Sequence, residues 1–260
     1  MGILDGRIAL VTGGGRGIGR GISELLAAEG AIVAVNFTRG AEAAQETCAG
    51  IVERGGEAKA YEASVADYDA SRRMVDVISS TYGTIDILVN NAGVSSRGKG
   101  VGDTDAEEVE KLLAVHAVGA HQLSRAVLPA MREKERGDIV FISSAGTSYN
   151  SANGAPYNMG KAAMEALAYT LAKEERRHGI HVNIAAPGLV ETDMGVRLSR
   201  ALTGNKELTD LRSLDATAPF GRVCQPLDVA NVVLWFCSPG SAYVTGQRVQ
   251  CDGGGLISSY

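Results

Sequence analysis

The chain has 260 residues, 45% of them hydrophobic and 21% charged, which fits one large soluble globular domain or two small ones and excludes disordered and fibrous architectures. Its net charge of −5, from 25 basic and 30 acidic residues, supplies no field that draws nucleic acid or anionic lipid, so a dedicated nucleic-acid binder or membrane-surface protein is disfavoured. Four widely spaced cysteines without a CxxC pair, and a start lacking the layout of a secretory signal, predict a reduced, cytoplasmic protein.

In chain order, residues 8–12 form a short β-rich run that leads into Gly13-Gly14-Gly15-Arg16-Gly17-Ile18-Gly19. A helical stripe of Ile18, Ile22, Leu25 and Leu26 follows and stops at Gly30. The alternation continues with strands at 31–37, 58–63 and 85–90, and helices at 41–54 and 69–82. A long helix over 105–132, interrupted by small residues, precedes a strand at 139–143 and an Ala-rich helix at 156–178. Strands at 181–185 and 244–250, with a helix at 227–237 between them, complete seven strands. Strands alternating with helices of this length imply right-handed crossovers and a mainly parallel sheet covered on both faces, an α/β doubly wound, Rossmann-like fold. No linker or repeat divides the chain, so residues 1–260 are expected to form one dinucleotide-binding and catalytic domain. The polar stretch 192–220 is the one irregular region, and it is expected to act as a substrate loop or lid, or to be a plain excursion.

Glycines at a strand-to-helix turn let backbone N–H groups approach a pyrophosphate, and the helix N-terminus adds favourable partial charge. Here the turn lies in the first βαβ unit, which makes Gly13, Gly15, Arg16, Gly17, Ile18 and Gly19 candidate nucleotide contacts. An NAD-selective site generally carries an acid about 20 residues beyond the last glycine, to accept from the ribose 2′-hydroxyl. Phe37 stands 18 residues past Gly19 instead, and the first acid after Glu29 is Glu42. A 2′-phosphate therefore meets no repulsion, and Asn36, Thr38, Arg39 and Arg16 could donate to it. NADP(H) is the expected cofactor, with solvated surface arginines as the alternative reading of Arg16 and Arg39.

Tyr157 and Lys161 are four apart on a predicted helix, so their side chains leave one face a turn apart. A nearby ammonium stabilises a phenolate, so Lys161 is expected to lower the pKa of Tyr157.

The spacing Thr12-Gly13-x-x-x-Gly17-x-Gly19, then Asn90-Asn91-Ala92-Gly93, Ser144, Tyr157-x-x-x-Lys161 and Pro187-Gly188-x-x-x-Thr192, resembles the short-chain dehydrogenase/reductase family across essentially the whole chain. The resemblance implies an NAD or NADP cofactor and, usually, a homotetramer. It implies Tyr157 as general acid/base, Lys161 as a holder of the nicotinamide ribose, and Ser144 rather than Ser143 as the hydrogen-bond partner of the substrate oxygen. Hydride then moves between the nicotinamide and the substrate carbon of a carbonyl or secondary alcohol, with no metal required. Asn91, Ala92 and Gly93 match the family segment beside the cofactor ribose, and Pro187, Gly188, Val190 and Thr192 the one beside the nicotinamide amide.

Two positions depart from the family pattern. His116, in Val115-His116-Ala117-Val118-Gly119, replaces the usual fourth catalytic residue, Asn, and is expected either to keep a working relay with altered pH dependence or merely to fill space. Ser64 before Val65 stands where the family has an adenine-contacting Asp. His121, His178 and His181 form no convincing metal-ligand pattern. The chain also resembles 3-oxoacyl-thioester reductases of that family, although Arg132, Arg136, Arg176 and Arg177, which could receive an acidic carrier protein, are interleaved with Glu133, Glu135, Glu174 and Glu175. The alternatives are an NAD-dependent alcohol dehydrogenase of the same family and a non-catalytic NADP-binding sensor.

Overall fold

A computed structural model describes residues 2–255. Seven parallel strands lie in the order β3-β2-β1-β4-β5-β6-β7: β1 (Ile8–Val11), β2 (Ile32–Phe37), β3 (Glu57–Glu62), β4 (Ile87–Asn90), β5 (Gly137–Ile142), β6 (Ile180–Pro187) and β7 (Arg248–Cys251). The register places Val11 beside both Val35 and Val89. The order reverses between β1 and β4, and at such a switch point the loops leaving the carboxyl ends diverge and open a crevice.

Helices α1 (Gly17–Ala28), α2 (Ala41–Glu53) and α9 (Pro226–Cys237) cover one face of the sheet, packing on Ala9, Val11, Val33, Val35, Val140 and Ala185. Helices α3 (Tyr68–Tyr82), α5 (Gly119–Met131) and α7 (Ala155–Glu175) cover the other, on Leu10, Ala34, Leu88, Ile139, Phe141 and Val182. Neighbouring strand residues thus feed opposite cores, which is why the strands read as continuous apolar runs. Side-chain caps fix where helices begin: Asp67 accepts the Ala70 N–H (2.9 Å), and Gln225 and Asp228 form a capping box at α9.

Two expectations require correction and a third is refined. The last strand begins at Arg248, because Gly246 (φ 68°) turns the chain and the Thr245 hydroxyl takes the N–H of Val182. The interrupted helix expected over 105–132 is three consecutive elements, α4 (Ala106–Leu113), a π-helical turn (Ala114–Val118) and α5, the turn being the interruption. Residues 192–220 are not irregular throughout: they contain α8 (Asp193–Thr203), capped by Thr192, whose hydroxyl accepts the Gly195 N–H (3.0 Å). A short helix, α6 (Gly146–Tyr149), also escaped the sequence pattern.

Candidate active site

The crevice is built first by the turn after β1. Gly13 (φ 60°) and Gly17 (φ 52°) hold left-handed backbone that strains any side chain. Gly15 answers a different need, since a Cβ there would lie 2.7 Å from the backbone of Ala44 in α2. Arg16 occupies the N-cap of α1 without a side-chain cap, so the first-turn N–H groups keep their donors for an anion. The Thr12 hydroxyl accepts the N–H groups of Asn91 and Ala92 (both 2.9 Å), and the Asn91 amide donates back to the Thr12 carbonyl (2.8 Å). These bonds lock the loops after β1 and β4 together across the switch point. Thr192 closes the same crevice from a third loop, because a Cβ on Gly17 would meet its methyl at 3.1 Å.

The 2′-phosphate end needs revision. Asn36 is buried and its amide donates to the carbonyls of Ala63 (2.9 Å) and Tyr61 (3.3 Å), so it braces β2 against the chain after β3 and has no donor for a phosphate. Thr38 gives its hydroxyl proton to the Ala63 carbonyl (3.0 Å). Arg16 and Arg39 remain exposed on this rim. The residues present fit a dinucleotide: free helix N-terminal donors, glycines where backbone must approach, and cations without a competing acid at the end of β2. Ser64 and Val65 follow β3, and Val65 backs onto α5, where Gly119 has no room for a Cβ beside the Val65 carbonyl.

The chemistry-bearing residues converge beyond the ends of β4 and β5. Tyr157 and Lys161 leave one face of α7, with the ammonium 5.9 Å from the phenol ring centroid. Lys161 is buried and donates to the carbonyl of Ile142 at 2.7 Å. Burial lowers its pKa to about 8, with Glu165 opposing. Burial also raises the phenol of Tyr157, against a smaller lowering by Ser144. The expectation that Lys161 lowers Tyr157 is thus overturned, because desolvation of the phenolate dominates. The hydroxyl of Ser144 accepts the Gly146 N–H (3.0 Å), which fixes its orientation beside Tyr157.

His116 is fully buried inside the π-helical turn, and its ring meets that of Tyr157 edge-on, centroids 5.3 Å apart. Burial and then the Lys161 ammonium push its pKa down to about 3. It is therefore neutral at physiological pH, which speaks against the altered pH dependence expected of it. Gly93 lies between the two groups: a Cβ there would sit 3.3 Å from His116 Nε2 and 3.6 Å from Lys161 Nζ. Pro187 ends β6, and Gly188 and Val190 follow it, with Val190 bridged to Cys224.

Sequence reading missed two participants. Glu165, one turn beyond Lys161, accepts from Thr147 (2.9 Å) and Arg248 (3.0 Å), and Arg248 donates to the carbonyl of Ser144 (3.1 Å). The partners lie 83 and 104 residues apart, so no local pattern could pair them. Among the described residues no cluster of His, Cys, Asp and Glu suits a metal ion.

A doubly wound sheet with a glycine turn at its switch point and a Ser, Tyr and Lys centre beside it defines a nucleotide-dependent oxidoreductase class. A family model described as enoyl-(acyl carrier protein) reductase matches residues 13–255. The 3-oxoacyl-(acyl-carrier-protein) reductase FabG of Escherichia coli is 35% identical, over 96% of this chain and 98% of that protein. Versicolorin reductase stcU of Emericella nidulans is 34% identical, over 96% of each. Among solved structures, levodione reductase superposes with a TM-score of 0.91 at 28% identity, covering 99% of this chain and 100% of that one. A short-chain dehydrogenase of Burkholderia cenocepacia in complex with NADP gives a TM-score of 0.86 at 34% identity, covering 96% and 98%. The chain belongs to the short-chain dehydrogenase/reductase family. It is an NAD(P)-dependent oxidoreductase acting on C=O and CH–OH groups. No helix among the described residues is long and apolar enough to cross a membrane.

Proposed function

We propose that the protein is an NADPH-dependent carbonyl reductase in which Tyr157 delivers the proton, Ser144 holds the substrate oxygen and Lys161 orients the cofactor ribose. The observation that carries this reading is the convergence of Ser144, Tyr157 and Lys161 on the crevice that the glycine turn opens. NADPH would supply the hydride, held by Gly13, Gly17 and the α1 N-terminus at its pyrophosphate and by Arg16 and Arg39 at its 2′-phosphate. The raised pKa of Tyr157 keeps the phenol protonated at neutral pH, the state a proton donor needs in the reductive direction. Donation leaves a phenolate, and the Lys161 ammonium on the same helix face offsets that charge. The bond it donates to the Ile142 carbonyl fixes the ammonium in place while two of its three protons stay free for the ribose and for proton return.

The NADP-bound relative and the name of the E. coli relative support the same cofactor and a 3-oxoacyl thioester as the first substrate class to try. Docking of an acidic carrier on Arg132 and Arg136 is disfavoured, because they pair with Glu175 (2.6 Å) and Asp138 (2.9 Å) within the chain. Residues 192–220 are the proposed substrate loop, a reading supported by Thr192, which closes the crevice beside Gly17. A homotetramer would cover the exposed Val118, Met159 and Tyr169 of the π turn and α7.

The test is a paired fluorescence titration with NADPH and NADH, followed by turnover of ethyl acetoacetate and acetoacetyl-coenzyme A. NADPH binding tighter by about tenfold or more, near 1.4 kcal/mol, is expected. Tyr157→Phe is expected to lose about 10²-fold or more in turnover with cofactor binding retained. Equal binding of the two cofactors sinks the phosphate site, and a fully active Tyr157→Phe sinks the acid.

A further inference from the structure

The Ser144 carbonyl is held from the far end of the chain. Arg248 on β7 spreads one guanidinium over four acceptors: Ser144 O (3.1 Å) and Thr147 Oγ1 (3.0 Å) from Nη2, Glu165 Oε1 (3.0 Å) from Nε, and Gln250 Oε1 (2.8 Å) from Nη1. Glu165 Oε1 also accepts from the hydroxyls of Ser143 and Thr147. Both charged side chains are largely removed from water, with 16% of Arg248 and 13% of Glu165 exposed. A carboxylate and a guanidinium this buried are stable only with their donors and acceptors matched, and here the matching runs through the turn that carries Ser144.

We propose that Arg248, braced by Glu165, is the positioning residue for Ser144. It fastens the turn bearing the Ser144 hydroxyl to the helix bearing Tyr157 and Lys161, so that the hydrogen-bond donor and the proton donor for one substrate oxygen share a rigid frame. Without it, the stretch from Ser143 to Thr147 keeps its links to β6 through Ser143 N–H to Ala185 O and Ala145 N–H to Pro187 O (both 2.8 Å) and the bonds of the Ser143 and Thr147 hydroxyls to Glu165, but the Ser144 carbonyl loses the guanidinium that holds it to Glu165, and Glu165 loses its cation. Misplacing a reacting group by about 1 Å costs on the order of 10²-fold in rate, so a brace at this point acts on turnover rather than on binding. Arginine is required because the planar fork reaches the loop carbonyl and the carboxylate at once, which the single ammonium of lysine does not. The proposal rests on Ser144 and Tyr157 being the reaction centre.

The test is a double-mutant cycle with Arg248→Met, Ser144→Ala and both together, with ethyl acetoacetate as the probe. Arg248→Met is expected to lower kcat about tenfold or more, with KM within about threefold and the NADPH Kd within about twofold of wild type. In the Ser144→Ala background the same change is expected to cost less than about twofold, because the group it positions is already gone. Losses that multiply, or an unchanged kcat in Arg248→Met, overturn the proposal. Hydrogen exchange supplies a readout free of turnover: backbone amides of 143–150 are expected to exchange about tenfold faster in Arg248→Met, and unchanged exchange overturns it. Should Arg248→Met fail to fold, Glu165→Gln, which keeps the side-chain shape and weakens the brace, carries the same expectations for kcat and exchange. A wild type that reduces no carbonyl while its 143–150 amides still loosen in the variant removes the reaction reading and leaves the brace standing.

Discussion

His116 accepts the backbone N–H of Val94 at Nε2, 3.0 Å away, so the neutral ring carries its proton on Nδ1, the atom that a Cβ on Gly160 would approach to 2.8 Å. The side chain thereby ties the π-helical turn to the loop that follows Gly93, and α7 needs a glycine where the ring leans against it. Because the ring does not take up a proton above pH of about 3, it contributes no ionisation to the working range. His116→Asn is expected to leave the pH dependence of kcat unchanged. A pH profile that moves by about one unit in the variant would show a titrating imidazole instead. Gly160→Ala is expected to destabilise by about 1–3 kcal/mol through overpacking against that ring, measured as a lower urea midpoint.

Lys161 gives a second prediction, with a sign that follows from its lowered pKa. The folded protein holds the Lys161 proton less tightly than the unfolded chain does, with pKa values of about 8 and 10.5. Its cost to stability is therefore complete below pH 8 and fades as pH rises toward 10.5. Relative to Lys161→Met, the wild type is expected to gain about 2 kcal/mol between pH 7 and 9.5. Urea unfolding of both at the two pH values measures this, and a constant gap rejects it. Reduction should fall above pH 8 as the ammonium is lost.

Most of this arrangement was legible in the chain, and the rest was hidden for identifiable reasons. Strands buried on both faces, such as Ile87–Asn90, announce themselves as apolar runs, and Tyr157 and Lys161 meet because four residues on a helix are one turn. The Asn36 reading failed because strand alternation does not say which side chain spends its donors on neighbouring carbonyls. The helix Asp193–Thr203 was lost among polar residues, and its buried Val196 belongs to a small satellite core with Leu211, Ala218 and Val223 rather than to either face of the sheet. The shift of Tyr157 could not be signed from spacing, because burial, which opposes the ammonium, is a tertiary property.

Cofactor choice now rests on fewer groups than the sequence offered, because Asn36 and Thr38 are engaged with the Ala63 carbonyl. Arg39→Glu is expected to raise the NADPH Kd by about tenfold or more, near 1.4 kcal/mol, while changing the NADH Kd by less than about threefold. Reversal of charge beside a phosphate distinguishes the two cofactors, whereas a general loss of fold weakens both. Parallel fluorescence titrations decide between these outcomes.

At the opposite, amino-terminal edge of the sheet, Asp138 is buried and bound by Arg7 (2.7 Å) and Arg136 (2.9 Å), with His181 3.7 Å away. The two guanidinium groups also hold carbonyls: Arg7 those of Cys237 (2.9 Å) and Asp86 (3.1 Å), and Arg136 that of Phe236 (3.1 Å). One carboxylate therefore anchors the end of α9 to β5 and to the segment before β1. Asp138→Ala leaves two largely desolvated cations facing each other, an expected loss of about 3 kcal/mol. That is the low end for breaking a buried pair, because Arg7 and Arg136 keep 19% and 23% of their side-chain surface in water. Since the cluster lies across the sheet from the crevice, the NADPH Kd of the folded variant is expected to stay within about twofold of wild type. Urea unfolding with and without saturating NADPH measures both quantities: an unchanged midpoint would show that the cations find water as readily as they found Asp138, and a weakened Kd would show that the two edges of the sheet are coupled.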